Sequence, residues 1–150
     1  MEVVTGAGGG VVLWQWVRRV VQGAKLLVDD PGGSVDGTGG AHRVVDDVVA
    51  EIKGAGGEAV ANYNSVAEEA AAQGIVDTAV NTWGRLDVMV HNAGILRDNA
   101  FNNMNMADYE FVNQVHHFGT AYCLKAAWPT KRRQSHVRPG EHRPVTGPAG

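Results

Sequence analysis

The chain has 150 residues, 44% of them apolar and 19% charged, enough for one globular domain with a buried core. It holds no run of 18 apolar residues and no charged leader followed by an apolar stretch, so neither a membrane span nor a secretory signal is expected, and a cytoplasmic protein without a membrane partner is. The net charge of −3 is unevenly placed: residues 1–124 carry 7 Lys/Arg against 15 Asp/Glu, and residues 125–150 carry 6 against 1.

In chain order, Glu2-Val3-Val4-Thr5 reads as the end of a strand, and Gly6 to Gly10 as a turn that neither helix nor strand tolerates internally. Val11 to Gln22 follows as a helix stopped by Gly23. Lys25 to Asp29 is a second strand, apolar on both faces as a buried parallel strand is, and residues 31–40 are loop. From His42, the spacing of Val44, Val45, Val48, Val49 and Ile52 predicts an amphipathic helix that ends at Gly54 to Gly57. "EAVANY" is a third strand. Ser65 with Glu68 three residues on has capping-box spacing and predicts a helix from there to Trp83. "RLDVMVHNAG" predicts a fourth strand and a second glycine turn, and Asn105 caps a last helix expected to end at Trp128, before Pro129.

Four alternations of strand and helix predict a Rossmann-type, doubly wound parallel α/β sheet, truncated after about four strands. The domain is expected over residues 1–134, with 135–150 an irregular tail. That tail is basic, yet it has no interleaved aromatics, so nucleic acid is not an expected partner. The single cysteine, Cys123, has neither a disulfide partner nor zinc spacing, in keeping with a reducing compartment.

Such sheets bind ligands beyond the carboxyl ends of their strands, where the first glycine turn lies. Glycines let backbone amides approach a phosphate, and the next helix turns its positive end toward the charge. Asp30, 24 residues after Gly6, sits where a carboxylate accepts the ribose hydroxyls and repels a 2′-phosphate, which favours NAD over NADP. Asp29 beside it leaves that assignment open by one position.

The segments "TGAGGG", "GAKLLVDD", "NYNSV", "WGRLDVMVHNAGILRD" and "AAWP" resemble short-chain dehydrogenases/reductases. More narrowly, they resemble the (3R)-hydroxyacyl-CoA dehydrogenase module of peroxisomal-type multifunctional β-oxidation enzymes and its bacterial relatives, from about residue 3 to Gln134. The resemblance implies that Thr5, Gly6 and Gly10 belong to the cofactor turn and that Asp30 is the ribose-binding acid. It implies that Asn64, Ser65 and Val66 contact the adenine, and that Asn92, Ala93 and Gly94 form the turn flanking the nicotinamide ribose. It also implies NAD as cofactor and an acyl-CoA type small-molecule substrate; relatives associate through the long fourth helix and its successor, and the successor is missing from this sequence, which leaves the oligomeric state open.

The chain departs from that pattern in three places. Val12 stands where the turn has its third glycine, with Trp14 and Trp16 behind it, and overpacking of this kind costs about 1–3 kcal/mol. No serine lies on a fifth strand and no Tyr-x-x-x-Lys follows it, so no catalytic residue is assigned; Tyr122 and Lys125, three apart, read as an ordinary helix pair. The tail "SHVRPGEHRPVTGP", read in a neighbouring frame, resembles the family's next strand, which points to a frame change after Gln134. Coding DNA whose neighbouring frame lacked the serine strand and the Tyr-x-x-x-Lys helix would rule that out. His116 falls where many members carry an active-site Asn. It cannot share a metal with adjacent His117, so both read as satisfied helix histidines and no metal is expected. The sequence therefore predicts either the cofactor half of an NAD-dependent oxidoreductase or a non-catalytic, nucleotide-binding or vestigial relative.

Overall fold

The computed structural model describes residues 1–7, 23–32 and 43–136. Four parallel strands, β1 (Glu2–Thr5), β2 (Lys25–Asp29), β3 (Glu58–Asn62) and β4 (Val88–Val90), form one sheet in the order β3-β2-β1-β4. Register pairs Thr5 with Asp29, Asp29 with Asn62 and Val4 with Val90, so the strands end level at their carboxyl edge. The helices are α1 (Arg43–Gly54), α2 (Glu69–Trp83), α3 (Met106–Asn113) and α4 (Gly119–His136), with a 3₁₀ turn at Phe101–Asn103 and a π turn at Gln114–Phe118.

Both faces of the sheet are covered, which is why its strands carry continuous apolar runs. Val4, Leu26 and Val28 pack on one face with Val45, Val48, Val49 and Ile52 of α1. Val3 and Leu27 pack on the other with Ala72, Ile75, Val76 and Ala79 of α2 and Cys123, Ala126 and Ala127 of α4. Val45 and Ile52 are fully buried. Each such side chain contributes about 1.5–3 kcal/mol, against at most about 0.7 kcal/mol lost to the modest helix propensity of a β-branched residue. Tertiary burial therefore decides that this valine-rich stretch is helix.

The strands and α1 lie where the sequence places them, and three boundaries differ. Helix α2 begins at Glu69 behind an uncapped Glu68, because the Ser65 hydroxyl accepts instead from the Ala67 amide and closes a separate turn. Strand β4 is only three residues long: before it the Gln134 side chain takes both the N–H and the C=O of Leu86, and after it the Thr5 hydroxyl takes the Asn92 and Ala93 amides. Pro129 does not end the last helix, which runs to His136. The hydrogen bond that Pro129 cannot make is offset beyond it by the Gln134 clasp, by the Lys131 ammonium on the Asp87 carbonyl and by Arg133 on the hydroxyl of buried Thr130. The expected helix Val11 to Gln22, with Val12, Trp14 and Trp16, the loop from residue 33 and the tail from residue 137 lie outside the described residues.

Candidate functional site at the carboxyl edge of the sheet

Each strand delivers one predicted segment to the same edge: Thr5 and Gly6 after β1, Asp30 after β2, Asn64 to Val66 after β3, and Asn92 to Gly94 after β4. Gly10 lies outside the described residues.

The β1 and β4 ends are locked together. Thr5 is fully buried, and its hydroxyl oxygen accepts from the Asn92 and Ala93 amides, each at 3.2 Å. The Asn92 side-chain amide donates to the Gly6 carbonyl at 3.0 Å. Gly6 has φ +63°, and a Cβ there would lie 2.5 Å from the Ala93 Cα, so positive φ and close approach both demand glycine.

After β2, the Asp30 carboxylate accepts from the Gly32 amide at 2.8 Å, which shapes the exit of the strand and holds the acid at its tip. After β3, the Asn62 side chain accepts from the Asn64 amide and donates to the Thr78 hydroxyl. The Asn64 amide group fills the space beside Gly74, where a Cβ would lie 2.6 Å from its nitrogen; this accounts for a glycine inside α2. Buried Val66 packs against Gly119, where a Cβ would meet Val66 at 3.1 Å and the His91 ring at 3.3 Å.

The long helix closes this edge from above. His116 lies over Gly94, whose missing Cβ leaves room for its ring, and its Nε2 is 3.0 Å from the Ile95 nitrogen and 2.9 Å from the Ile95 oxygen. This is the satisfied histidine that the sequence suggests. Gln114 donates to the Ala67 carbonyl at 2.8 Å. Both residues sit in the π turn, a helical irregularity that often occurs at functional sites. Further out, Arg97 pairs with Asp108 and lies 4.8 Å over the Phe111 ring, which fixes the loop after the Asn92–Gly94 turn.

Two ionisable groups are displaced by their surroundings. Burial lowers the His91 imidazole, with a smaller opposing effect from the Val115 backbone and a further lowering by His116. Burial, joined by the charge of Asp29, pushes the Cys123 thiol up to about 12. Lys125 is held by Glu69 at 2.6 Å, and the Tyr122 hydroxyl is 3.5 Å from Gln114, so this pair ties α4 to α2 and to the π turn and does not form an acid–base couple. Among the described residues no cluster of three His, Cys, Asp or Glu is arranged to hold a metal. Gly119, Gln114 and the inward aim of Asp29 carry no local signal in the sequence, because each depends on contacts made across elements.

A family profile described as enoyl-(acyl carrier protein) reductase matches residues 24–138. The chain is 46% identical over 136 residues to a short-chain type dehydrogenase/reductase of Mycobacterium tuberculosis, an alignment covering 91% of this chain and 48% of that protein. It is 43% identical over 138 residues to peroxisomal multifunctional enzyme type 2 of Drosophila melanogaster, covering 92% of this chain and 23% of that one. A crystal structure of a short chain dehydrogenase from Mycobacterium avium matches with a TM-score of 0.78 at 39% identity, covering 90% of this chain and 47% of the other. The chain thus spans about half the length, or less, of these relatives.

Proposed function

Because this chain belongs to the short-chain dehydrogenase/reductase family, we propose that its carboxyl edge binds NAD and that it serves an oxidoreductase acting on a 3-hydroxyacyl thioester of the CoA type. The observation that carries this reading is the locked junction of Gly6 with Asn92 and Ala93, set level with Asp30 at the tip of the next strand. A Cβ there would strike the Ala93 backbone, so glycine is what lets the ends of β1 and β4 meet at the edge where such sheets take a dinucleotide. Thr5 and Gly6, with Gly10, would line the phosphates, Asp30 the adenosine ribose, Asn64 to Val66 the adenine, and Asn92 to Gly94 the nicotinamide ribose. The bound cofactor supplies the hydride exchange; the residues here hold and orient it. The acyl-CoA substrate rests on the resemblance of the sequence segments to the (3R)-hydroxyacyl-CoA dehydrogenase module, and the 43% identity to a peroxisomal multifunctional enzyme is in keeping with it. A cytoplasmic setting belongs to the same proposal, supported by the lone buried thiol of Cys123.

Titration with NADH, read by nicotinamide fluorescence, tests the site. Binding is expected, with NADPH weaker. Asp30→Ala is expected to weaken NADH by about tenfold or more, because hydrogen bonds to a charged group are worth about 1.5–3 kcal/mol. No enhancement with wild type, or equal affinities for NADH and NADPH, would contradict the reading.

A second reading, a nucleotide binder without turnover, is favoured by one observation: Lys125, the lysine three residues after Tyr122, is engaged by Glu69. Without a Tyr-x-x-x-Lys pair in the sequence, no turnover of a hydroxyacyl-CoA is expected from this chain; a measurable rate would refute that. Association of two copies, where it occurs, would use Leu124 and Trp128, four residues apart on one side of the long helix and both exposed. Sedimentation of Trp128→Glu beside wild type checks it.

A further inference from the structure

The level strand ends set one polar residue of each strand in a row: Asn62, Asp29, Thr5 and, next after Val90, His91. Strand alternation turns Thr5 and Asp29 to the same face as Val3 and Leu27, the one covered by α2 and α4. Asp29 is fully buried, and neither of its carboxyl oxygens has a hydrogen-bond partner among the described residues. Its neighbours in the row are already engaged. The Thr5 hydroxyl serves Asn92, Ala93 and His91, while the Asn62 side chain serves Asn64 and Thr78.

No cation faces this carboxyl among the described residues. Helix α2 turns Ala72, Ile75, Val76 and Ala79 inward, and α4 turns in the Cys123 thiol. From the β3 side comes the Asn64 backbone amide, and on β2 itself the next residue is the carboxylate of Asp30. Beyond Thr5 stands the His91 imidazole, which burial disposes to be neutral. An ionised carboxylate without partners in such a place is far more costly than a neutral acid.

We infer that Asp29 is a buried acid that stays protonated in the folded chain, and that its ionisation is a proton-linked step loosening both the fold and the dinucleotide site. The second half rests on the cofactor reading above. Burial, then the charge of Asp30, raise the Asp29 carboxyl from 3.8 to about 8, with the Asn64 amide opposing. The unfolded chain releases this proton near the ordinary value and the folded chain keeps it. Stability therefore falls as pH rises from about 4 to about 8 and levels off above. Above about 8 the folded chain ionises too, placing a second negative charge beside Asp30 and opposing an anionic ligand.

The test is unfolding of wild type and Asp29→Asn across pH 5 to 9, with NADH titrations at the same values. The amide keeps the shape and removes the proton, and the comparison cancels the contribution of His91. The unfolding constant of wild type relative to the variant is expected to rise by about tenfold per pH unit below pH 8 and to stay flat above it. NADH affinity of wild type is expected to fall above pH 8 while that of the variant does not. Parallel unfolding profiles would overturn the inference. If the variant fails to fold, carboxyl carbon NMR of aspartate-labelled wild type decides: one resonance with its midpoint near 8 supports it, and all midpoints below 6 overturn it. Absence of NADH binding at every pH would defeat the cofactor reading alone, since the unfolding comparison needs no ligand.

Discussion

At Gly6 two independent demands meet, a backbone at φ +63° and an Ala93 Cα that would lie 2.5 Å from any Cβ. Alanine at such a position destabilises by more than the 0.4–1 kcal/mol it gains where the backbone permits it, so Gly6→Ala is expected to cost roughly 1–3 kcal/mol. Urea unfolding measures that loss, and NADH affinity should fall with it, because the same step parts β1 from the Asn92 turn. Thr5, Gly6 and the Asn92–Gly94 turn were legible in the sequence because each is a short motif with local backbone requirements. Asp29 and Asp30 were not separable there. One points into a covered face of the sheet and the other sits at the strand's tip, a difference that shows only once the strand's last residue and its register are known.

Elements were legible where hydrophobic period and caps agree. The Asn105 side chain accepts from the Ala107 amide as its spacing suggests, and α1 ends in its glycines, with Gly56 at φ +84°. They were misread where a distant partner overrides a local signal. Ser65 and Glu68 have the spacing of a capping box, yet the serine spends its hydroxyl on Ala67. Pro129 is a sound stop signal by itself, and a glutamine five residues later removes its authority by clasping Leu86 from 48 positions away. Gln134→Ala leaves the Leu86 N–H and C=O unpaired beside a fully buried side chain. The expected cost is about 1–3 kcal/mol for an unsatisfied buried group, with the loss of helix confined to residues after Pro129. Hydrogen exchange should show amides past Pro129 opening first in the variant, while those of α2 keep their protection.

For the molecule as a whole, the alternation of strands and helices sufficed to predict a parallel sheet with helices on both faces, because short crossovers leave few other ways to bury strands apolar on both sides. Among the described residues its two cores lie on opposite faces of the one sheet, so damage to either face is felt at the carboxyl edge. Ile52 belongs to the face away from the long helix and is fully buried. Ile52→Ala is expected to lower global stability by about 2–5 kcal/mol, and a cooperative transition should show it equally in tryptophan fluorescence and in circular dichroism. Separate midpoints for the two probes would show that the faces unfold independently. The π turn has a related consequence for the shape of the molecule. The Gly119 amide reaches back to the Gln114 carbonyl, one residue farther than an α-helix allows, so the two halves of the long helix run out of rotational phase. Wound as ordinary α-helix with no residue removed, 114–118 would swing everything after them by about 100°. Cys123 would then turn to the side where exposed Leu124 now stands, so this local irregularity sets which side of the last helix the protein shows to its surroundings.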